Sequence, residues 1–282
     1  MDDDVAAPFA STAYWIAAVR AKESARPDRL FEDPHAEALA GSLGVEVLAR
    51  SERATGGENP YLPVRTRFVD DVLTIDGASC RQVVLLGAGF DTRAFRLPLA
   101  AGVRYFEIDR PDVFERKESV LAASGARPSC LRVIVRADLS GEWSGRLLSM
   151  GFDLDLPTAW VAEGLFFYLT QAAVLRLLRL TRRLSGPGSL LVADIFGTGI
   201  LDSPGMPAYL ESVARRGLPM PFCADSPAAL FEASGWERVE IVEPGQSRAN
   251  FGRLGADGWH PGRPAGSTTR TWLVVGHAPA AG

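Results

Sequence analysis

Short apolar runs and amphipathic segments alternate along the chain from residue 82 onward. Runs rich in β-branched and aromatic residues predict strands, whereas apolar residues that recur every three to four positions predict helices. The predicted strands cover residues 83–86, 103–108, 130–135, 158–162, 189–195, 238–242 and 271–276. The predicted helices between them cover residues 111–123, 141–150, 170–184 and 226–235. This alternation predicts an α/β fold with a mostly parallel, doubly wound sheet, and the last two strands are expected to form an antiparallel hairpin at its edge.

The part of the chain before residue 79 has a helical pattern. Apolar stripes in residues 12–22, 36–50 and 64–73 predict three helices before the first strand. Residues 197–225 are rich in glycine, proline and methionine, which is typical of a lid or acceptor-pocket insertion and also of a plain surface connection. We therefore divide one domain, 1–282, into a helical part at 1–78, a core at 79–196, the insertion at 197–225, and a C-terminal helix and hairpin at 226–282.

Composition narrows the possible functions. The chain has 282 residues, of which 47% are hydrophobic and 23% charged, as in ordinary globular proteins. The formal net charge of -4 provides no strongly basic face, so no nucleic-acid partner is expected. Cys80, Cys130 and Cys223 are too widely spaced to suggest a disulfide framework or a zinc site, and no metal is expected. The acidic start MDDD, with no apolar stretch of about 20 residues, predicts a cytoplasmic protein without a membrane partner.

A glycine turn follows the first predicted strand. The apolar run of residues 83–86 stops at Gly87-Ala88-Gly89, where two residues without side chains permit positive φ and a close approach of a ligand to the backbone. In open α/β sheets, ligands bind outside the carboxyl ends of the strands. The turn at Gly87 and Gly89 is therefore predicted to hold a cofactor.

Four successive strand ends carry a carboxylate. They are Asp91, Asp109, Asp138 and Glu163. Each alone is more often a helix cap or a turn residue, but four at one edge of a sheet indicate a site. Asp109 lies 22 positions beyond Gly87, where an acid that accepts hydrogen bonds from ribose hydroxyls stands in nucleotide-binding folds.

Two classes of cofactor share this arrangement. A dinucleotide site favours G-x-G-x-x-G, whereas here the sixth position is Thr92, and Asp91 places a negative charge where a pyrophosphate would lie. A cofactor with a positive amino-acid end, such as S-adenosylmethionine, suits the acids better, with Asp138 accepting from the adenine amino group and Leu139 packing near the ring. An NAD-dependent reductase and a non-catalytic binding protein remain the alternatives of other classes.

A set of longer motifs resembles a known family. The motifs lie between Thr12 and about Trp236 and read VRAKESARPDRLFEDPHA, NPYLPVRTRFVDD, LLGAGFDTR, YFEIDRPDVFERK, ADL and AEGLFFYL. In combination they resemble the S-adenosylmethionine-dependent methyltransferases related to leucine carboxyl methyltransferase, particularly the bacterial branch that includes polyketide carboxyl O-methyltransferases. The resemblance implies a class I methyltransferase (Rossmann-like) fold, with a seven-stranded, mostly parallel sheet and an N-terminal helical cap.

The resemblance also implies roles for residues around the cofactor. Arg65 and Arg20 would bind the methionine carboxylate, with Lys22 close enough to replace Arg20. Glu163 would meet the methionine amino group, and Gly87 would lie beside the methionyl part. Asp109 would hold the ribose hydroxyls. The full predicted cofactor-binding set is Arg20, Arg65, Gly87, Gly89, Asp91, Asp109, Asp138, Leu139 and Glu163.

The acceptor is predicted from weaker signals. Methyl transfer requires mainly the alignment of acceptor, methyl group and sulfur, and a carboxylate acceptor is already ionised at neutral pH. A phenol, with a pKa of about 10, would benefit from a base, and His260 is the only candidate among three histidines. Predicted substrate contacts are Phe166, Phe167, Tyr168 and Arg248.

These observations lead to one expected function and one close alternative. We expect an S-adenosylmethionine-dependent O-methyltransferase of secondary metabolism that forms the methyl ester of a small aromatic or polyketide-like acid, with a hydroxyl acceptor also open. The alternative is methylation of a protein C-terminal carboxylate. The sequence leaves the acceptor, the regiochemistry and the oligomeric state open.

Overall fold

A single seven-stranded sheet organises the protein. The computed structural model describes residues 8–203, 206–215, 219–254 and 270–280. The strands are β1 Gln82–Leu86, β2 Arg104–Asp109, β3 Leu131–Arg136, β4 Thr158–Ala162, β5 Leu190–Phe196, β6 Glu237–Val242 and β7 Thr271–His277. Their spatial order is β3-β2-β1-β4-β5-β7-β6, and only β7 runs antiparallel to its neighbours. The predicted seven-stranded, mostly parallel sheet is thus confirmed.

Helices precede the sheet and connect its strands. Those before β1 are α1 Pro8–Ser24, α2 Ala36–Thr55 and α3 Tyr61–Asp71, and α3 continues into a π-helical turn, Val72–Asp76. The later helices are α4 Arg93–Arg96, α5 Pro111–Ala123, α6 Ser144–Ser149, α7 Gln171–Arg183, α8 Met206–Arg215 and α9 Pro227–Glu232. Short 3-10 turns cover Phe166–Tyr168, Thr198–Asp202 and Ser247–Ala249. Among the described helices, none is both long and apolar enough to cross a bilayer.

Side chains of each strand alternate between two hydrophobic cores. On one face, Val83 and Leu85 of β1 pack with the apolar side of α3, including Phe68. On the other face, Val84 and Leu86 pack in a cluster that also contains residues of α6, α7 and α9. Because both faces are covered, the strands read as continuous apolar runs, and β1 and β4 are buried throughout.

The local sequence explains several element boundaries. Thr170 begins α7 as its N-cap, because its hydroxyl oxygen accepts a hydrogen bond from the backbone N–H of Ala173 at 3.2 Å. Gly41 adopts a non-helical φ of 54° inside α2 and interrupts its hydrogen bonding. The insertion at 197–225 contains α8, a helix that the sequence pattern did not predict because proline and glycine surround its start.

The strand order reverses between β1 and β4. From β1 the chain builds outward through β2 to β3, and then returns to place β4 on the other side of β1. A crevice at the carboxyl ends of β1 and β4 is therefore the expected position of a ligand site.

Candidate active site

The glycine turn and Asp109 form one rigid corner. Gly87 and Gly89 have φ values of 69° and 48°, which residues with side chains rarely adopt. Asp109 ends β2, where one carboxylate oxygen accepts from the N–H of Gly89 at 2.6 Å and the other from the N–H of Arg110 at 2.7 Å. The carboxylate therefore joins the end of β2 to the turn after β1.

The environment of Asp109 changes its acidity. Burial raises the pKa of Asp109 above its ordinary value, and the two backbone hydrogen bonds offset only part of this effect. A partly buried carboxylate with accepting capacity left is suited to hydroxyl donors, because such donors stabilise its charged form.

Two leucines stand over Gly87. A Cβ built on Gly87 would lie 3.1 Å from Cδ1 of Leu165 and 4.0 Å from Cδ1 of Leu139. Asp138, next to Leu139, is exposed and accepts a hydrogen bond from the N–H of Ser140 at 2.7 Å. Leu139 therefore lies at the glycine turn, and Asp138, the other residue predicted to contact adenine, lies at the surface.

Replacing Gly87 with alanine is expected to weaken cofactor binding at least about tenfold, a loss of about 1.4 kcal/mol. The Cβ would enter the space between the turn and Leu165, and positive φ would cost a further 1–2 kcal/mol, or roughly 2–8 °C in melting temperature. Gly125 is a matched control, with a φ of 65° and no atom within 4 Å of a built Cβ. Gly125→Ala should lower the melting temperature similarly and leave S-adenosylmethionine affinity, measured by calorimetry, unchanged. Equal affinity losses in both variants would contradict this assignment.

Arg65 connects the ends of two strands from α3. Its Nε donates to Oε1 of Glu163, after β4, at 3.0 Å, and its Nη1 donates to Oδ2 of Asp194, in β5, at 2.9 Å. Gly164 has a φ of 62°, and a Cβ there would lie 3.2 Å from Nη1 of Arg65. The absence of a side chain at Gly164 leaves room for the guanidinium. The predicted residues Arg65 and Glu163 are therefore in direct contact.

Asp194 is a site residue that the sequence did not reveal. Besides Arg65, its carboxylate accepts from the N–H of Gly164 at 2.5 Å and from the hydroxyl of Tyr61 at 3.1 Å. In the sequence it stands inside an apolar strand, LLVADIF, where an acid that is only 5% exposed has to be paired. An acidic residue inside an otherwise apolar strand was the sequence feature that could have identified Asp194.

Arg93 is the second missed residue. Its guanidinium lies 2.6 Å from Oδ1 of Asp70, 2.5 Å from Oδ2 of Asp91 and 2.7 Å from Oε2 of Glu163. The side chain is fully buried at 2% exposure. Together with Arg65, it collects the acids at the ends of β1, β4 and β5 into one ion-pair network.

This network controls the acidity of its carboxylates. Burial would raise the pKa of Glu163, but the nearby Arg93 and Arg65 guanidinium groups outweigh burial and hold that pKa below its ordinary value. Burial acts on Asp91 in the same way, and Arg93 again lowers the pKa. Both acids are therefore ionised at neutral pH.

The contacts of Asp91 correct one step of the sequence argument. We expected the Asp91 charge to repel a pyrophosphate and to attract a cationic cofactor. In the structure this carboxylate accepts from both the backbone N–H and the guanidinium of Arg93, and the positive guanidinium offsets part of its charge. Repulsion by Asp91 alone is therefore a weaker argument against a dinucleotide than the sequence suggested.

Arg20 and Lys22 are engaged by other protein groups. Arg20 donates to Oδ2 of Asp33 at 2.8 Å and to the carbonyl of Phe90 at 2.6 Å, so it anchors α1 to the turn after β1. Lys22 pairs with Glu52 and Glu58 at 2.8 and 2.9 Å. Through these contacts Arg20 anchors the turn after β1, and its predicted contact with the methionine carboxylate stays a prediction.

The aromatic stretch after β4 divides between core and site. Phe166 is only 1% exposed and belongs to the hydrophobic core, and its predicted role in acceptor binding stays a prediction. Phe167 is half-buried and packs its ring 5.4 Å from Phe196 and 5.7 Å from Tyr209 of α8. The hydroxyl of Tyr168 is hydrogen-bonded to the side chain of Thr12 in α1. Phe167, Tyr168, Phe196 and Tyr209, called here the aromatic cluster, lie between α8 and the ends of β4 and β5.

The remaining predicted acceptor residues lie elsewhere. Arg248 forms ion pairs with Asp76 and Glu240, and its guanidinium lies 5.3 Å from the ring centre of Phe68. Arg248 is thus held by two acids of the protein, and its predicted contact with the acceptor stays a prediction. The candidate base His260 falls outside the residues that the structure describes.

The residues present fit S-adenosylmethionine. A glycine corner in a conformation that favours glycine, a buried carboxylate at Asp109, and the oppositely charged pair of Arg65 and Glu163 suit its adenosyl and amino-acid parts. Together with the strand order, these features define a class I methyltransferase fold.

Comparison with known proteins identifies the family. The sequence profile described as leucine carboxyl methyltransferase matches residues 13–181, more than half of the chain, and the chain therefore belongs to this family. A Parafrankia sp. (strain EAN1pec) protein is 41% identical over 267 residues, covering 92% of this chain and 78% of its own length. A Saccharopolyspora erythraea protein is 37% identical over 262 residues, covering 89% and 90%. Both are provisionally named S-adenosyl-L-methionine-dependent methyltransferases.

A solved structure shares the fold. The DUF574 family protein from Streptomyces avermitilis superposes with a TM-score of 0.60 at 17% identity, covering 95% of this chain and 97% of its own. The comparisons confirm the predicted family, the methyltransferase class and S-adenosylmethionine as cofactor. The NAD-dependent reductase alternative is therefore set aside.

Proposed function

We propose that this protein is an O-methyltransferase of secondary metabolism that converts a small aromatic or polyketide-like carboxylic acid into its methyl ester. The aromatic cluster carries the proposal, because Phe167, Phe196 and Tyr209 offer ring faces and edges beside the strand ends that hold the cofactor site. Aromatic side chains bind planar apolar ligands through offset and edge contacts.

The cofactor is held by groups at neighbouring strand ends. Asp109 would accept from the ribose hydroxyls, Asp138 and Leu139 would contact adenine, and Arg65 and Glu163 would bind the carboxylate and ammonium of the methionine part. S-adenosylmethionine supplies a methyl group already activated by its positive sulfur. The protein positions the acceptor, so that its oxygen lies close to the methyl carbon and in line with the sulfur.

Ester formation is favoured over ether formation by the acid–base chemistry. A carboxylate is ionised at neutral pH and requires no proton transfer, whereas a phenol requires a base. The described groups around the aromatic cluster include Tyr61 and Tyr168, whose pKa values are both raised by burial, so neither hydroxyl is suited to accept a proton at neutral pH. This observation supports a carboxylate acceptor.

A library of aromatic and polyketide-like acids, each paired with the phenol of the same skeleton, tests the proposal. We expect methyl esters as products, and a rate that changes little between about pH 6 and 9, because a carboxylic acid is ionised throughout. Mass spectrometry identifies the product, and alkaline hydrolysis distinguishes ester from ether.

Two results would contradict the proposal. One is faster methylation of the phenols with a rate that rises with pH, which would indicate ether formation. The other is a preference for peptides with a free C-terminal carboxylate over every small acid, which would favour the protein-methylating alternative.

A further inference from the structure

Arg93 occupies the centre of the ion-pair network. It contacts carboxylates from three separate elements: Asp70 of α3, Asp91 of the turn after β1, and Glu163 after β4. Its Nη2 also donates to the carbonyl of Thr66 at 3.2 Å. The guanidinium thus connects the N-terminal helices to the two acids nearest the methionine end of the cofactor site.

The network has more negative than positive groups. Its guanidinium groups belong to Arg65, Arg93 and Arg96, and its carboxylates to Asp70, Asp91, Glu163 and Asp194. Three positive charges against four negative charges leave one negative charge. Each carboxylate has a guanidinium partner, but carboxylates outnumber guanidinium groups by one, so the network is complementary to a cationic group.

We propose that Arg93 is a positioning residue of the cofactor site, which holds Asp91 and Glu163 together as a fixed pair of acids facing the ammonium group of S-adenosylmethionine. This inference rests on the proposed function. Three carboxylates that share one contact point repel each other unless a cation lies between them. Arg93 supplies that cation, and the fixed directions of the N–H groups in its planar guanidinium also orient the three carboxylates.

Other charged groups around the two acids remain when Arg93 is replaced. The titratable and charged groups that act on Asp91, Glu163 or Arg93 are Arg20, Tyr61, Arg65, Asp70, Arg96, Tyr105 and Lys117, and Asp194 pairs with Arg65. Arg65 still pairs with Glu163, but Asp91 keeps only the hydrogen bond from the backbone N–H of residue 93. We therefore expect Asp91 to lose its charge most readily in a variant without Arg93.

The first test measures the protein without ligand. In Arg93→Met, the folded state should bind protons more tightly than the unfolded state, so the melting temperature should fall as the pH rises from about 5 to 8. The wild type should not show this fall for these acids, because Arg93 holds their pKa values low. Arg93→Lys should be intermediate, because it restores the charge without the fork.

The second test measures ligands that differ only in the amino-acid part. S-adenosylhomocysteine carries the ammonium group, and methylthioadenosine lacks it. In Arg93→Met, calorimetry should show S-adenosylhomocysteine affinity reduced about tenfold at pH 8, about 1.4 kcal/mol, and reduced further as the pH is lowered to 6. Methylthioadenosine affinity should stay within about twofold of the wild type at both pH values, a difference of less than 0.5 kcal/mol.

Arg132 provides the matched control. It is a buried arginine that joins Glu107 of β2 to Glu118 of α5, away from the carboxyl ends of the strands. Arg132→Met should lower the melting temperature yet leave the pH profile of S-adenosylhomocysteine binding unchanged. If Arg93→Met does not fold, Arg93→Lys gives the same comparison, with an expected loss of about threefold to tenfold, up to 1.4 kcal/mol.

Two results overturn the inference in distinguishable ways. Parallel pH profiles of S-adenosylhomocysteine binding in the wild type and the Arg93 variants, or equal losses for methylthioadenosine, would reduce Arg93 to a structural residue. A wild type that binds neither ligand would instead contradict the proposed function and, with it, the cofactor role of Arg93.

Discussion

Asp109→Asn is expected to weaken S-adenosylmethionine binding about 100-fold, the largest loss of affinity from any conservative change at this site. Hydrogen bonds to a charged acceptor contribute about 1.5–3 kcal/mol each, and two ribose hydroxyls would lose theirs. The asparagine amide also cannot accept from both Gly89 and Arg110, whose N–H groups share the carboxylate at 2.6 and 2.7 Å. Isothermal titration with S-adenosylmethionine at neutral pH measures the effect.

The acidity of Asp109 adds a pH dependence to this prediction. Burial raises the pKa of Asp109, so wild-type affinity should fall as the pH is lowered through that raised value, because the protonated acid accepts hydrogen bonds weakly. Asp112→Asn is the control, since Asp112 is an exposed acid that pairs with Arg110 at 2.6 Å. Comparable losses in the two variants would show that Asp109 does not contact the ribose.

The sequence predicted the sheet well because its strands are buried on both faces. β4 was predicted with its observed bounds, Thr158–Ala162, and α5 with its observed bounds, Pro111–Ala123, since a proline at the first turn marks its start. The helix α8 was missed because proline and glycine residues surround its start. Such a helix is stabilised by its contacts, which include that of Tyr209 with Phe167.

The site was predictable only where position along a strand decides the role. Asp109 ends β2 and Glu163 follows β4, so the strand pattern predicted their positions at the carboxyl edge of the sheet, and their roles toward the cofactor stay predictions. Arg93 and Asp194 depend on contacts between residues far apart in the chain, such as the pair of Arg65 with Asp194. The pair of Arg248 with Asp76 could not be predicted for the same reason, because the two residues lie 172 positions apart and nothing in a loop sequence identifies the partner.

The charged network connects stability with cofactor recognition, and Arg65 belongs to both. From α3 it reaches two strand ends, so its removal leaves Glu163 and Asp194 buried without their guanidinium partner. Breaking a buried ion pair from one side costs about 3–5 kcal/mol, because the remaining charge stays out of water. Removal of an arginine with only a structural role would lower stability and nothing else. Removal of an arginine that binds the methionine carboxylate would also weaken the binding of ligands that carry this group.

Arg65→Met is therefore expected to lower the melting temperature by roughly 6–20 °C and to weaken S-adenosylhomocysteine binding at least about 100-fold, while methylthioadenosine, which lacks the carboxylate, binds nearly as before. Calorimetric unfolding and titration with both ligands measure the two effects. Arg50→Met is the control: Arg50 pairs with Glu46 at 2.8 Å on the surface of α2, where an ion pair contributes at most about 1 kcal/mol. An equal loss for both ligands would mean that Arg65 shapes the pocket without contacting the amino-acid part, whereas a selective loss places Arg65 at the amino-acid part of the ligand, which carries both the carboxylate and the ammonium group.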